Sequence, residues 1–287
     1  VISAVAAVLA AASNALASVL QRKAVHSAVA SETFRLRLIW VLIPRKMWLG
    51  GIAALIAGFL FQVVALSFGS LSLVQPILVT ELPFTMFLVA LLFRIRLGRE
   101  SWLAVGVLTA GLVVLLTAAA PAEGHRHPGR IEWAIATIVT AGVIAYLVMA
   151  ARPLSGAGRA AVLGVAAGLG FSFTAALMKE VTRVLPKGPA VLLTSWPVYA
   201  MVGAGLISLF LLQLALQNTL VVVQPALNVS DPVASIAYGV GLFGEKIRLG
   251  GWSVLEILGV GLILYGSARL AASPPIRHHS DLTTPDP

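Results

Sequence analysis

Of the 11 acidic residues in the chain, Glu81 and Asp231 alone stand deep inside long apolar stretches. A carboxylate at the centre of a bilayer costs about 2.5–3.5 kcal/mol on insertion scales, so it needs a partner, a proton or a water-filled cavity. Around these two lies a sparse polar set: Asn14, Gln62, Gln75, Thr80, Ser172, Gln213, Gln224, Asn228, Ser230 and Ser235. Gln224, Asn228, Asp231 and Ser235 follow one another at steps of four, three and four, which places them on one face of a helix. Gln75 and Glu81 are six apart and share no face of a regular helix. Two kinds of chemistry suit the set. Carboxylate, amide and freed backbone oxygens can hold a hard divalent cation, with Glu81 and Asp231 as the charged metal ligands. Alternatively the carboxylates bind and release a proton while the amides hold an organic solute.

Catalysis is not expected. No histidine lies within an apolar stretch and the chain has no cysteine, so thiolate and zinc ligand sets are missing, as is a nucleophile beside a base. An aspartic-type pair is disfavoured because the acids are one glutamate and one aspartate, one residue out of register in a repeat. The sequence calls for no cofactor.

That repeat is explicit. Gln75-Pro76-Ile77-Leu78-Val79-Thr80-Glu81-Leu82-Pro83 recurs as Gln224-Pro225-Ala226-Leu227-Asn228-Val229-Ser230-Asp231-Pro232. Matching blocks flank both copies: Phe59-Leu60-Phe61-Gln62 with Phe210-Leu211-Leu212-Gln213, and Ile95-Arg96-Leu97-Gly98 with Ile247-Arg248-Leu249-Gly250. Pro76, Pro83, Pro225 and Pro232 are expected to break their helices, since each lacks an amide donor and disturbs the carbonyl four residues earlier. Pro83 should free the carbonyl of Val79, and Pro232 that of Asn228. A freed carbonyl in lipid must find a partner, and a solute cavity offers one. Duplicated halves with interrupted, charge-bearing helices are the mark of a secondary transporter's binding site.

Elements that position these residues follow from composition. Hydrophobic residues make up 59% and charged residues 11% of 287, more apolar surface than a soluble core can bury. A lipid bilayer is the expected environment. A span needs about 20 apolar residues. Nine segments qualify: residues 1–20, 47–68, 71–93, 102–120, 133–151, 160–178, 196–216, 219–243 and 252–268. Residues 1–20 read as a first span and not as a removed signal peptide. Trp48, Trp102, Trp133, Trp196 and Trp252 mark segment starts, where an indole prefers the headgroup layer. Residues 34–44 read as an interfacial segment, the alternative being a tenth span. Gly58, Gly106, Gly164, Gly168, Gly203, Gly205, Gly239, Gly241, Gly259 and Gly261 are candidate close-packing points.

On nine spans the 20 basic residues divide 13 to 7 between the two sides. The richer side is expected to be cytoplasmic, with the C-terminus inside and the N-terminus outside, in a bacterial cytoplasmic membrane. Net charge of +9 is explained by loops at headgroups, so no nucleic-acid partner is expected. The expected organisation is all-α: a first repeat of four spans over residues 1–120, a linker and central span over 121–151, a second repeat over 152–272, and a disordered tail over 273–287. An odd number of crossings between equivalent helices makes the repeat inverted. A homodimer is one assembly open to such a chain.

The two Gln-Pro segments, the Phe-Leu-x-Gln blocks, the Ile-Arg-Leu-Gly turns before Trp102 and Trp252, and Gly244-Glu245 together resemble the drug/metabolite transporter superfamily. The likeness covers roughly residues 1–270. EamA-like members of that superfamily usually have ten spans, whereas nine spans look more like the branch holding the NIPA-type magnesium transporters. What the resemblance implies is a central cavity between halves and alternating access, carrying a small metabolite or drug-like solute, or a magnesium ion.

Overall fold

The structure, a computed structural model, describes residues 1–29, 46–93, 98–217, 220–248 and 250–271. The expected interfacial segment at 34–44 and the tail at 273–287 lie outside the described residues. Described regular structure is helical apart from one antiparallel bridge between Ala122 and Lys246. The α-helices are α1 (Ile2–Val29), α2 (Lys46–Ser67), α3 (Leu71–Leu78), α4 (Glu81–Phe93), α5 (Arg99–Ala119), α6 (Arg130–Ala150) and α7 (Gly156–Val184). After a 3-10 turn at Leu185–Lys187 come α8 (Pro189–Thr194), α9 (Trp196–Leu216), α10 (Leu220–Phe243) and α11 (Trp252–Ala271).

Among the described residues 8 helices are long and apolar enough to cross a membrane, with α3 and the greater part of α4 forming one span over Leu71–Leu92. The chain is thus an all-helical polytopic membrane protein. The segment expected at 219–243 folds as the 24-residue α10.

Two compact units are present. The first comprises Val1–Ala65 with Ile77–Arg96, and the second Leu66–Pro76 with Leu97–Pro287. In the first unit α1 buries small residues, Ala6, Ala7, Ala10, Ala11, Ala15 and Ala17, and packs against both α2 and α4. Ser3 donates to the carbonyl of Ala65 at 3.0 Å, and Gly58 lies against the Asn14 side chain, so α1 and α2 run antiparallel.

The second unit is built around α7, the most buried of the candidate spans. Its glycines and alanines let α9 and α10 approach closely. Gly170 meets Ser208 of α9, and Gly164 meets Val223 and Ala226 of α10. Beside them α5 and α11 pair antiparallel: Gly111 touches Ile263, Gly259 touches Leu115 and Gly266 touches Leu108. Not every expected packing glycine serves this purpose, since Gly106, Gly203, Gly241 and Gly261 face open space. Trp133 also departs from expectation. It is 4% exposed, with its ring edge-on to Phe173, Trp196 and Phe243. Trp102, Trp196 and Trp252 do keep exposed faces.

Candidate functional site

The polar stripe expected on α10 is present. Asn228 is buried and donates from Nδ2 to Ser267 Oγ of α11 at 3.0 Å. Two turns on, Ser235 donates to Asp231 Oδ1 at 3.3 Å. Asp231 and Gln224 are half-buried. Gly168 of α7 lies against Ser230 and the Asp231 amide, and any side chain there would push α7 off the stripe. Pro225 and Pro232 lie inside α10, which runs unbroken through both. Their expected role as helix breakers is therefore corrected. A proline removes a single ladder bond, and packing against α7 and α11 keeps the rest of the helix in place.

The same unit holds Gln75, on α3 with Pro76. Gln75 is 3% exposed, and its Nε2 has no hydrogen-bond partner among the described residues. A buried amide donor without a partner costs about 1–3 kcal/mol, which a bound solute or water recovers.

In the first unit Glu81 opens α4 and forms a hydrogen bond with the Asn14 side chain of α1. A carboxylate in a first helical turn is favoured by the helix dipole. Here the apolar span is interrupted, since α3 ends at Leu78 and α4 begins at Glu81. The break is closed locally. Thr80 N and Thr80 Oγ1 both donate to the carbonyl of Ile77, at 3.0 and 2.7 Å. Leu82 N donates to the carbonyl of Val79 at 3.1 Å. Val79 is consequently not left free by Pro83: the chain tightens to three-residue turns, so Leu82 supplies the donor that Pro83 lacks.

In a second constellation Glu245, part of the Gly244-Glu245 motif, takes a role that sequence reasoning did not assign. Glu245 and Lys179 form a buried ion pair at 2.5 Å, with side chains 0% and 9% exposed. Glu245 Oε1 also accepts the Leu71 amide at 2.6 Å, while Oε2 accepts Ser72 N at 2.9 Å and Ser72 Oγ at 2.6 Å. The carboxylate thus caps the first turn of α3, satisfying amides that a helix start leaves unpaired. Lys179 Nζ donates further to the carbonyl of Gly69 at 3.2 Å and stands 5.0 Å above the Phe243 ring. Lys179 can do this because α7 runs on to Val184, beyond the span end expected at 178. Gly244, at φ +64, ends α10 in the left-handed conformation and turns Glu245 back toward Gly239, whose carbonyl accepts Glu245 N at 2.9 Å.

Ion pairs continue this end of the unit. Arg126 pairs with Glu132, Arg183 pairs with Glu180 at 3.0 Å, and Arg183 donates to the Arg126 carbonyl at 2.8 Å. The signal that could have shown the role of Glu245 was its place directly after a helix-ending glycine; its partner, 66 residues away, had none.

No protein-family model matches the chain. No solved structure matches it either. The chain is 25% identical over 233 residues, 79% of its own length and 79% of the relative's, to an uncharacterised protein of Corynebacterium glutamicum.

Proposed function

We propose that this protein is a secondary transporter that moves a small organic solute across the cytoplasmic membrane by alternating access, with Glu81 and Asp231 carrying the coupled proton. The observation that carries the reading is the set of hydrogen-bonding groups inside lipid-length helices, above all the Gln75 amide nitrogen, unpartnered among the described residues and in the same unit as Asp231 and Asn228. Groups of this kind in apolar spans mark solute and proton paths. The duplicated Gln-Pro segments support two inverted halves of the drug/metabolite transporter kind, with no catalytic step. Gln75, Gln224 and Asn228 would bind the solute, and Asn14 would hold Glu81 in place. Two carboxylates on separate helices make a thin charge set for a dedicated cation site, which favours an organic solute over magnesium.

Purified protein is to be heated with metabolites, cationic drugs and divalent cations in turn. A solute bound only by the folded state at about 100 times its Kd stabilises by about 2.7 kcal/mol. A shift with an organic solute that Asp231→Asn abolishes supports the proposal. A shift with magnesium alone would transfer the site to a cation, and no shift with any class would favour a non-transporting scaffold.

A further inference from the structure

We propose that Glu245 and Lys179 form a latch that closes one end of the polar stripe on α10 and opens to admit solute toward Asp231. The inference rests on the transporter reading above and adds the moving part.

Along α10, Asp231, Ser235 and Gly239 follow one another at single helical turns. Ser235 is fully buried and bonded to Asp231. Gly239 lies directly against Ser72 Oγ and Glu245 Oε2. The stripe that runs through Asp231 therefore ends under the latch. Glycine at position 239 is what lets α3 and the Glu245 turn come so close, because a Cβ would occupy the place of the carboxylate oxygen.

What the latch holds is specific. Of the chain before residue 97, Leu66–Pro76 alone belongs to the second unit. The polar contacts that hold its α3 start are made by Glu245 and Lys179, to Gly69, Leu71 and Ser72. A bend at residues 68–69 precedes α3, and the break at Val79–Thr80 follows it. The segment is thus a short helix with a joint at each end, fastened at its start by the Glu245–Lys179 pair. Charged hydrogen bonds are strong while water is excluded and exchange readily for hydration once it enters, which suits a closure that must open. The opposite end of the second unit is sealed differently, by Ala151, Ala160, Leu163, Ala215 and Val223 in aliphatic contact.

The chain contains no cysteine, so a single introduced thiol is the only reactive one. Ser235→Cys sits one turn below the latch, and Ala215→Cys, fully buried at the opposite end, is the control. Each is made with the latch intact and with Lys179→Met/Glu245→Gln, which removes both charges together and leaves neither stranded. Full-length protein in vesicles is treated with a small charged methanethiosulfonate. The latch predicts at least tenfold faster modification of the thiol at position 235 in the neutral pair and no change in the control at position 215. Equal rates at position 235 in both backgrounds overturn it, as does a parallel rise at position 215, which signals general loosening. If the neutral pair fails to fold, Glu245→Asp, which keeps the charge on a shorter arm, must speed modification at position 235 several-fold; protection there also overturns the latch. Uptake assayed on the same vesicles separates the two claims: fast modification without uptake in the parent removes the transporter reading, and uptake with unchanged modification removes the latch.

Discussion

Two segments of nearly the same pattern fold differently. Gln75–Pro83 is split into α3 and α4, with its carboxylate in the first turn of a new helix, whereas Gln224–Pro232 runs through the middle of the unbroken α10. Proline is common to both, so proline does not decide the outcome. A hydroxyl that bonds three residues back does not decide it either, for Thr80 bonds the carbonyl of Ile77 at 2.7 Å and Ser230 that of Leu227 at 3.3 Å. The difference lies in what surrounds each segment. Glu245 and Lys179 fix the start of α3, and Asn14 meets the acid that opens α4. The second segment instead lies against the glycines of α7 along its length. Tertiary anchoring, not local propensity, breaks one copy and preserves the other.

The largest test of that contrast is removal of the anchor. Glu245→Ala strands Lys179 and leaves the Leu71 and Ser72 amides without an acceptor, so unfolding in detergent should show a loss of about 3–5 kcal/mol. Asp231→Ala removes a carboxylate whose described hydrogen bond is a single one from Ser235, and should cost about 1 kcal/mol. Equal losses would erase the distinction between the two segments.

Proline replacement sharpens it further. Pro232 interrupts the bonding of a continuous helix, where proline costs up to about 3 kcal/mol, so Pro232→Ala should raise thermal stability. Pro83 is the third residue of α4, where its amide would have no helical partner, so Pro83→Ala should stay within about 0.5 kcal/mol. Destabilisation by Pro232→Ala would mean that α10 needs its proline.

A smaller effect is expected at the glycines of α10. Gly239→Ala drives a methyl into Glu245 and Ser72 and should cost about 1–3 kcal/mol, while Gly241→Ala, facing open space, should be silent on the same melting curves. If both were silent, the close approach that seats Glu245 would carry no weight.

Much of the helix layout was legible in the sequence, because spanning lipid demands long apolar runs and leaves an unmistakable length signal. The polar stripe was legible too, since Asn228, Asp231 and Ser235 stand out against Leu and Val. Less visible was which side of a span faces protein. A helix in lipid is apolar on both faces, so Trp133 looked like an interfacial anchor although it packs among Phe173, Trp196 and Phe243. A break between Pro76 and Pro83 was expected, but that the copy at Pro225 and Pro232 stays whole, and that Lys179 pairs with Glu245, depend on contacts between segments far apart in the chain, which no local pattern encodes.

The central claim is that Glu81 and Asp231 act by titrating, not by holding helices together. Glu81→Gln and Asp231→Asn keep size and hydrogen-bonding capacity and remove the exchangeable charge. Uptake into reconstituted vesicles of a solute found by the thermal screen, with and without an imposed pH gradient, separates the two roles. We predict that each substitution lowers gradient-driven accumulation at least tenfold while solute exchange at equal pH persists. Accumulation at the parent level in both variants would contradict the account.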